Sequence, residues 1–119
     1  MPGTIQNELG TISISEDVAA TIAGSTTVES YGVVGMAAQK TGDSIFELLG
    51  RENLRKGVAV KFVENACVVD LHIIVEYGVS IGAVAQNVID NVTYRLRDAL
   101  GLAVSAVNVH VEGVRIQRS

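Results

Sequence analysis

At 119 residues, 48% hydrophobic and 18% charged, the chain suits one domain that buries on the order of two thirds of its unfolded surface, and it needs no disulfide to fold. Its net charge of −4 disfavours long-range attraction to nucleic acid or anionic lipid. A single cysteine, Cys67, excludes an intramolecular disulfide, a redox pair and a cysteine-based zinc site, and it fits a reducing cytosol. The first residues lack the basic and apolar regions of a secretory leader, and no apolar run approaches the ~18 residues of a membrane span. The expectation is a soluble cytoplasmic protein.

Residues 1–9 read as a flexible segment ahead of a single domain over 10–116, with 117–119 as a short tail. In GTISIS, residues 10–15, Ile12 and Ile14 alternate with Thr11 and Ser13, which predicts a short strand. Ser15 is a good N-cap, Glu16 and Asp17 suit the positive end of a helix dipole, and Val18, Ile22 and Thr26 with Ala19 and Ala23 form a thin apolar stripe. A first helix ending near Ser30 follows. Residues 32–42, GVVGMAAQKTG, are punctuated by glycine and read as a connection. Ser44 and Glu47 then make a capping box for a short helical turn closed by Gly50, with Ile45, Phe46, Leu48 and Leu49 as a lid on the core.

The polar and basic stretch RENLRKG, residues 51–57, precedes two alternating runs, VAVKFV and CVVDLHIIVEY, separated by Glu64, Asn65 and Ala66: a β-hairpin. Ser80 caps the clearest helix, in which Ile81, Val84, Ala85, Val88, Val92, Leu96 and Ala99 recur at spacings of three and four until Gly101. In the last stretch Val107, Val109 and Val111 point inward and Asn108, His110 and Glu112 outward. Gly113 breaks that phase, which predicts a bulge or kink. The order predicts an α+β fold, two helices packed on one face of a three- or four-stranded mixed sheet, with an αββαβ core and a short extra N-terminal strand. A ferredoxin-like β-α-β-β-α-β arrangement is the alternative, and the pairing of the last strand with residues 67–77 stays open.

The second face of such a sheet is uncovered. In an extended strand, residues two apart share a face, so Asp70, His72, Ile74 and Glu76 point together, joined by Asn108 and His110 from the last strand if it lies alongside. A metal site could draw on Asp70, His72 and His110 or Glu112, but Glu76 lies about 13 Å along the strand from His72. A flat, wet face also lacks the concavity that orients ligands. The residues therefore read as a polar stripe that keeps the face soluble, with no catalytic, cofactor or metal role.

Two further stretches carry candidate chemistry. Gly32 and Gly35 of GVVG are spaced like the loop with which KH domains clamp RNA, yet valines occupy the positions between them and Glu29 is near, so an apolar turn is the simpler reading. Arg51, Arg55, Lys56 and Lys61 form the best candidate docking patch for a charged partner, although Glu52 interrupts it and no aromatic is interleaved for stacking on bases. Cys67 opens the apolar phase of its strand and reads as a small core hydrophobe.

Across GTISIS, YGVVGMA, LLGRENLRKGVAVKF, VDLHIIVEYGVSI and VNVHVEGV, roughly residues 9 to 116, the chain closely resembles the alkaline shock protein 23 family of Gram-positive bacteria. The resemblance implies a small cytoplasmic protein of cell-envelope stress homeostasis, held in some members at the inner face of the membrane through an anchored partner rather than by inserting itself. It brings no catalytic residues and no cofactor. The expected function is a non-catalytic interaction or scaffold protein that self-associates as a homo-oligomer and docks on a protein partner. The alternative is a KH-like RNA-binding module using residues 32–35 and the basic 51–61 stretch.

Overall fold

The structure, a computed structural model, describes residues 3–39 and 46–116; Ser44 and Ile45, expected to open a helical turn, and the tail 117–119 lie outside the described residues. The hairpin expected in the middle of the chain sets the frame. Its strands β5 (Val58–Val63) and β6 (Ala66–Glu76) pair antiparallel from Val63↔Ala66 to Val58↔Leu71. Glu64 and Asn65 turn it with φ of 51° and 63°, the positive pair that a tight turn between right-twisted strands requires.

Both expected helices form. Ser15 accepts a hydrogen bond from Val18 N–H and opens α1 (Glu16–Val28), whose packing stripe consists of small residues, Ala19, Ala20, Ala23 and Gly24 among them. That stripe lets α1 approach closely: a Cβ on Gly24 would lie 3.1 Å from Leu54 Cβ. Ser80 accepts from Ala83 N–H and opens α2 (Ile81–Leu100), which Gly101 ends at φ 70°. Val84, Val88, Val92, Leu96 and Leu100 are its buried stripe, so Leu100 takes the place expected for Ala99.

The last strand, β7 (Ala103–Arg115), runs parallel to β6 along its whole length, from Ala66↔Ala103 to Glu76↔Arg115. Its register shifts twice. One additional residue, Ser105, falls between the Cys67 and Val68 pairs, and another, Glu112, between the Ile73 and Ile74 pairs, immediately before the glycine whose phase break predicts a bulge.

Three stretches depart from the sequence reading. Within the segment expected to be flexible, β1 (Gly3–Asn7) pairs antiparallel with β2 (Gly10–Ile14) as a separate two-stranded sheet. The predicted N-terminal strand therefore exists but stays out of the main sheet, and the ferredoxin-like alternative falls. The base of this small hairpin is held by Thr4 N–H, which donates to Asn65 Oδ1, and by Gly3, which sits so close to Phe62 and Leu102 that no side chain fits there without displacing one of them.

The second departure is β3 (Val33–Gln39), antiparallel to β6 from Val33↔Val75 to Met36↔Ile73: of GVVG only Gly32, at φ 84°, keeps the expected turn, while Val33, Val34 and Gly35 lie in a strand, with an irregularity at Val34. The third is β4 (Phe46–Leu48), which pairs with β3 where a helical turn was expected. Tertiary pairing overrides the local capping signal there. A 3₁₀ helix, Arg51–Gly57, spans the polar and basic stretch and leads into β5.

Among the described residues the main sheet thus has five strands rather than three or four. β6 is its centre, with β7 on one edge. The other edge is shared: β5 pairs with residues 66–71 of β6 and β3 with residues 73–75. Both helices pack on one face, over Val69, Leu71, Ile73 and Val75, all without exposed surface. Burying each of these side chains contributes roughly 1.5 to 3 kcal/mol.

Candidate functional site

The alternate residues of β6 face away from the helices, and the parallel register sets Asn108 against Asp70 and His110 against His72. The polar stripe expected from alternation is therefore present, and the structure links most of it into a ladder. Asp70 Oδ1 accepts from Asn108 Nδ2 at 3.1 Å and from His110 Nε2 at 3.2 Å. The His110 ring stacks on that of His72, centroids 4.7 Å apart and planes 16° from parallel. His72 Nδ1 in turn lies 2.7 Å from Glu112 Oε2.

The arrangement is crossed. Each strand contributes one histidine and one carboxylate, and each imidazole is bonded to the carboxylate of the other strand. An ionised carboxylate only accepts, so the facing ring nitrogens, His72 Nδ1 and His110 Nε2, carry protons. The His110 hydrogen bond is the main reason the Asp70 carboxyl is held below its ordinary range; partial loss of hydration opposes it, and the Asn108 hydrogen bond and the charge of the two histidines add to it. Glu112 reaches His72 from its place at the β7 bulge. The phase break at Gly113 was the sequence signal for that bulge, but the bond to His72 also needed the parallel register.

Two residues assigned to this face behave differently. Glu76 stands opposite Arg115, four residues beyond His72 and outside the ladder. Ile74, expected to be exposed, is only 5% exposed. It is flanked in register by Gly35 and Gly113, and Leu48 of β4 arches over the Gly35 backbone so closely that a Cβ there would meet Leu48 Cδ1 at 2.8 Å. Two neighbours without side chains leave room for Ile74 to be covered.

The face is also not flat. Because β3 leaves β6 after Ile73 and β5 joins it at Leu71, the edge neighbours part opposite His72. A cleft of about 450 Å³ opens there, between Ala37 and Ala38 on one side and residues 56–59 on the other, with His72 in its lining.

The candidate basic patch is divided. Arg55 reaches Asp17 of α1 at 3.3 Å, an exposed pair on the helix side. Lys56 lines the cleft, Lys61 stands opposite Val68 on the open face, and Arg51 begins the 3₁₀ helix. Cys67 is fully buried, and burial pushes its thiol pKa up, as befits a small core hydrophobe. Among the described residues no group of three or more His, Cys, Asp or Glu side chains is placed to hold a metal ion, and no helix is long and apolar enough to cross a membrane.

These features define an α+β domain with one helix-covered sheet face and one open face of fixed, hydrogen-bonded side chains. The chain belongs to the alkaline shock protein 23 family, described by its cell envelope-related function, which matches over residues 4–116. It is 41% identical over 113 residues to the uncharacterized protein YloU of Bacillus subtilis (strain 168), covering 94% of each chain. It is 38% identical over 113 residues to the uncharacterized protein Spy1614 of Streptococcus pyogenes serotype M6, covering 94% of this chain and 93% of the other. The uncharacterized protein YqhY of Bacillus subtilis is 32% identical over 108 residues, 90% of this chain and 78% of the other. No solved structure matches the chain.

Proposed function

We propose that the protein is a non-catalytic scaffold of cell-envelope stress homeostasis, cytoplasmic, which self-associates and docks through its open sheet face on a protein partner that can be membrane-anchored. The observation that carries this reading is the crossed ladder of Asn108, Asp70, His110, His72 and Glu112. Its carboxylates and imidazoles are held by one another, which suits a pre-ordered recognition surface: side chains already fixed lose little freedom when a partner covers them. The cell envelope-related function of the family sets the context.

Isolation of the intact protein with its bound proteins from its own cells tests the reading, comparing the native chain with Asn108→Arg on the open face and with Arg55→Ala on the helix side. The expected result is loss of the bound protein with Asn108→Arg and retention with Arg55→Ala. Retention with both removes the open face as the docking surface.

A further inference from the structure

Arg55 and Lys56 are neighbours in the 3₁₀ helix with different surroundings. Arg55 is paired with Asp17, whereas Lys56 makes no ion pair among the described residues. Lys56 instead lines the cleft of about 450 Å³ beside His72, and none of the other lining residues, Ala37, Ala38, Gly57, Val58, Ala59 and His72, is acidic. That volume falls within the ~300 to 1,000 Å³ of small-molecule pockets, which are typically walled by apolar side chains with a few polar groups.

The cleft exists because its walls carry little side chain. Gly57 is a point of close approach between β3 and the start of β5: a Cβ there would lie 2.9 Å from the Ala37 carbonyl oxygen and 2.9 Å from Met36 Cβ, so a side chain would force the two segments apart. Beyond that contact Ala37 and Ala38 pair with Leu48 and Glu47 of β4, while β5 continues along β6 with Ala59 opposite Asp70. Three alanines and a glycine leave space that larger residues would fill, and Val58 adds a branched aliphatic side chain. His72 supplies a fixed polar wall, its ring held by Glu112 at Nδ1 and stacked on His110.

Methyl-lined walls with one unpaired ammonium suit a ligand of matching polarity. A lysine is a point charge on an apolar stem, so it can meet an anionic group while the alanine walls cover hydrocarbon. We propose that the cleft binds a small aliphatic carboxylate, its anionic group at Lys56 beside the His72 ring and its hydrocarbon against Ala37, Ala38, Val58 and Ala59. A bare oxyanion leaves the apolar walls uncovered, and an uncharged aliphatic molecule leaves Lys56 unpaired, so each binds more weakly. A free short-chain acid and the C-terminal residue of a peptide share the required chemistry. With a single exposed cation and an open cleft, affinity lies in the millimolar range. Occupancy of the cleft does not depend on a protein partner covering the ladder.

Amide-resolved NMR titration of the intact protein at constant pH is the test, with isovalerate and N-acetylvaline as the carboxylate probes, their uncharged amides and inorganic phosphate as controls. Saturable shifts centred on Ala37, Ala38, Gly57, Ala59 and His72 are expected with at least one carboxylate, at a Kd of about 1 mM, and weaker binding with phosphate and the amides. The tighter of the two carboxylates tells a free acid from a peptide terminus. Lys56 and Ala59 are both exposed, so their variants should keep the native spectrum elsewhere. Lys56→Gln should weaken binding about threefold, Ala59→Leu should abolish saturation by filling the cleft, and Arg55→Gln on the helix side should change neither. No saturable shift with either carboxylate, equal binding of the amides, or binding that survives Lys56→Gln or Ala59→Leu unchanged overturns the site.

Discussion

Along β6, Val69, Leu71, Ile73 and Val75 lie beneath the helices with no exposed surface, while Asp70, His72 and Glu76 remain in reach of solvent on the other face. The covered face is held by apolar burial and is intolerant of lost volume. The open face is held by directed bonds between β6 and β7 that compete with water at every step, so its geometry is specific and its contribution to stability small. One strand thus separates stability from recognition by its two-residue period, and substitutions at neighbouring positions should differ sharply.

The largest effect is expected at Leu71. Leu71→Ala empties fully buried volume among α2 and sheet side chains and should cost about 2 to 5 kcal/mol, against about 1 kcal/mol or less for His72→Ala. Chemical denaturation of the two variants measures this directly. Equal losses would mean that the two faces are not energetically distinct.

Ile74 sharpens the comparison because it lies on the open side yet is covered. Its shelter is thin, built from the Gly35 and Gly113 backbones with Leu48 nearby, and it stands outside the main core cluster. Ile74→Ala should therefore cost about 2 kcal/mol, the low end for such a truncation, whereas Ile74→Lys should destabilise further by placing an unpaired ammonium in that shelter. A melting temperature for Ile74→Lys equal to that of the native chain would show that β4 does not cover this position.

That exception also shows where sequence reading stops. The β5–β6 hairpin, α2 and the inward phase of β7 were legible because apolar periodicity and turn residues agree over long runs. In β3, Gly35 and the run of small residues, with Gly32 just before them, obscure a strand that exists only because β6 offers it an edge. Ser44 and Glu47 form a helix signal three residues apart, yet Glu47 and its neighbours pair with β3. The polar stripe was readable from alternation alone. Its cross-linking depends on the parallel register of two strands about forty residues apart, and the cleft beside His72 on the parting of β3 from β5, neither of which a local pattern encodes.

Acid should probe the ladder next. Asp70 has a folded-state pKa below its unfolded value, so its bonds to His110 and Asn108 stabilise the fold above the ordinary aspartate range, about pH 4, and that contribution is lost as pH falls through the folded-state value. Because this pair is partly exposed, screening by water limits the contribution to about 1 kcal/mol or less. Asp70→Asn should be slightly less stable than the native chain at pH 6, and the difference should shrink toward pH 3. Melting curves at the two pH values suffice, and a gap that widens on acidification would reverse the assigned sign.

The smallest expected effect is none at all. His72, His110, Asp70 and Glu112 are residue types that bind zinc and nickel, and all four lie within one ladder. The donor electrons of an imidazole nitrogen lie in the ring plane, however, and two rings stacked 16° from parallel do not direct them at a common point between the rings. Each carboxylate is also engaged with the histidine across from it, so a shared ion would have to break bonds already formed before gaining its own. Binding to the folded state raises the melting temperature only when it exceeds binding to the unfolded chain. Zinc or nickel at modest excess should therefore leave the melting temperature unchanged. A rise of several degrees, abolished by His72→Ala and by His110→Ala alike, would show that the ladder rearranges into a metal site and that its fixed geometry is not the property that matters.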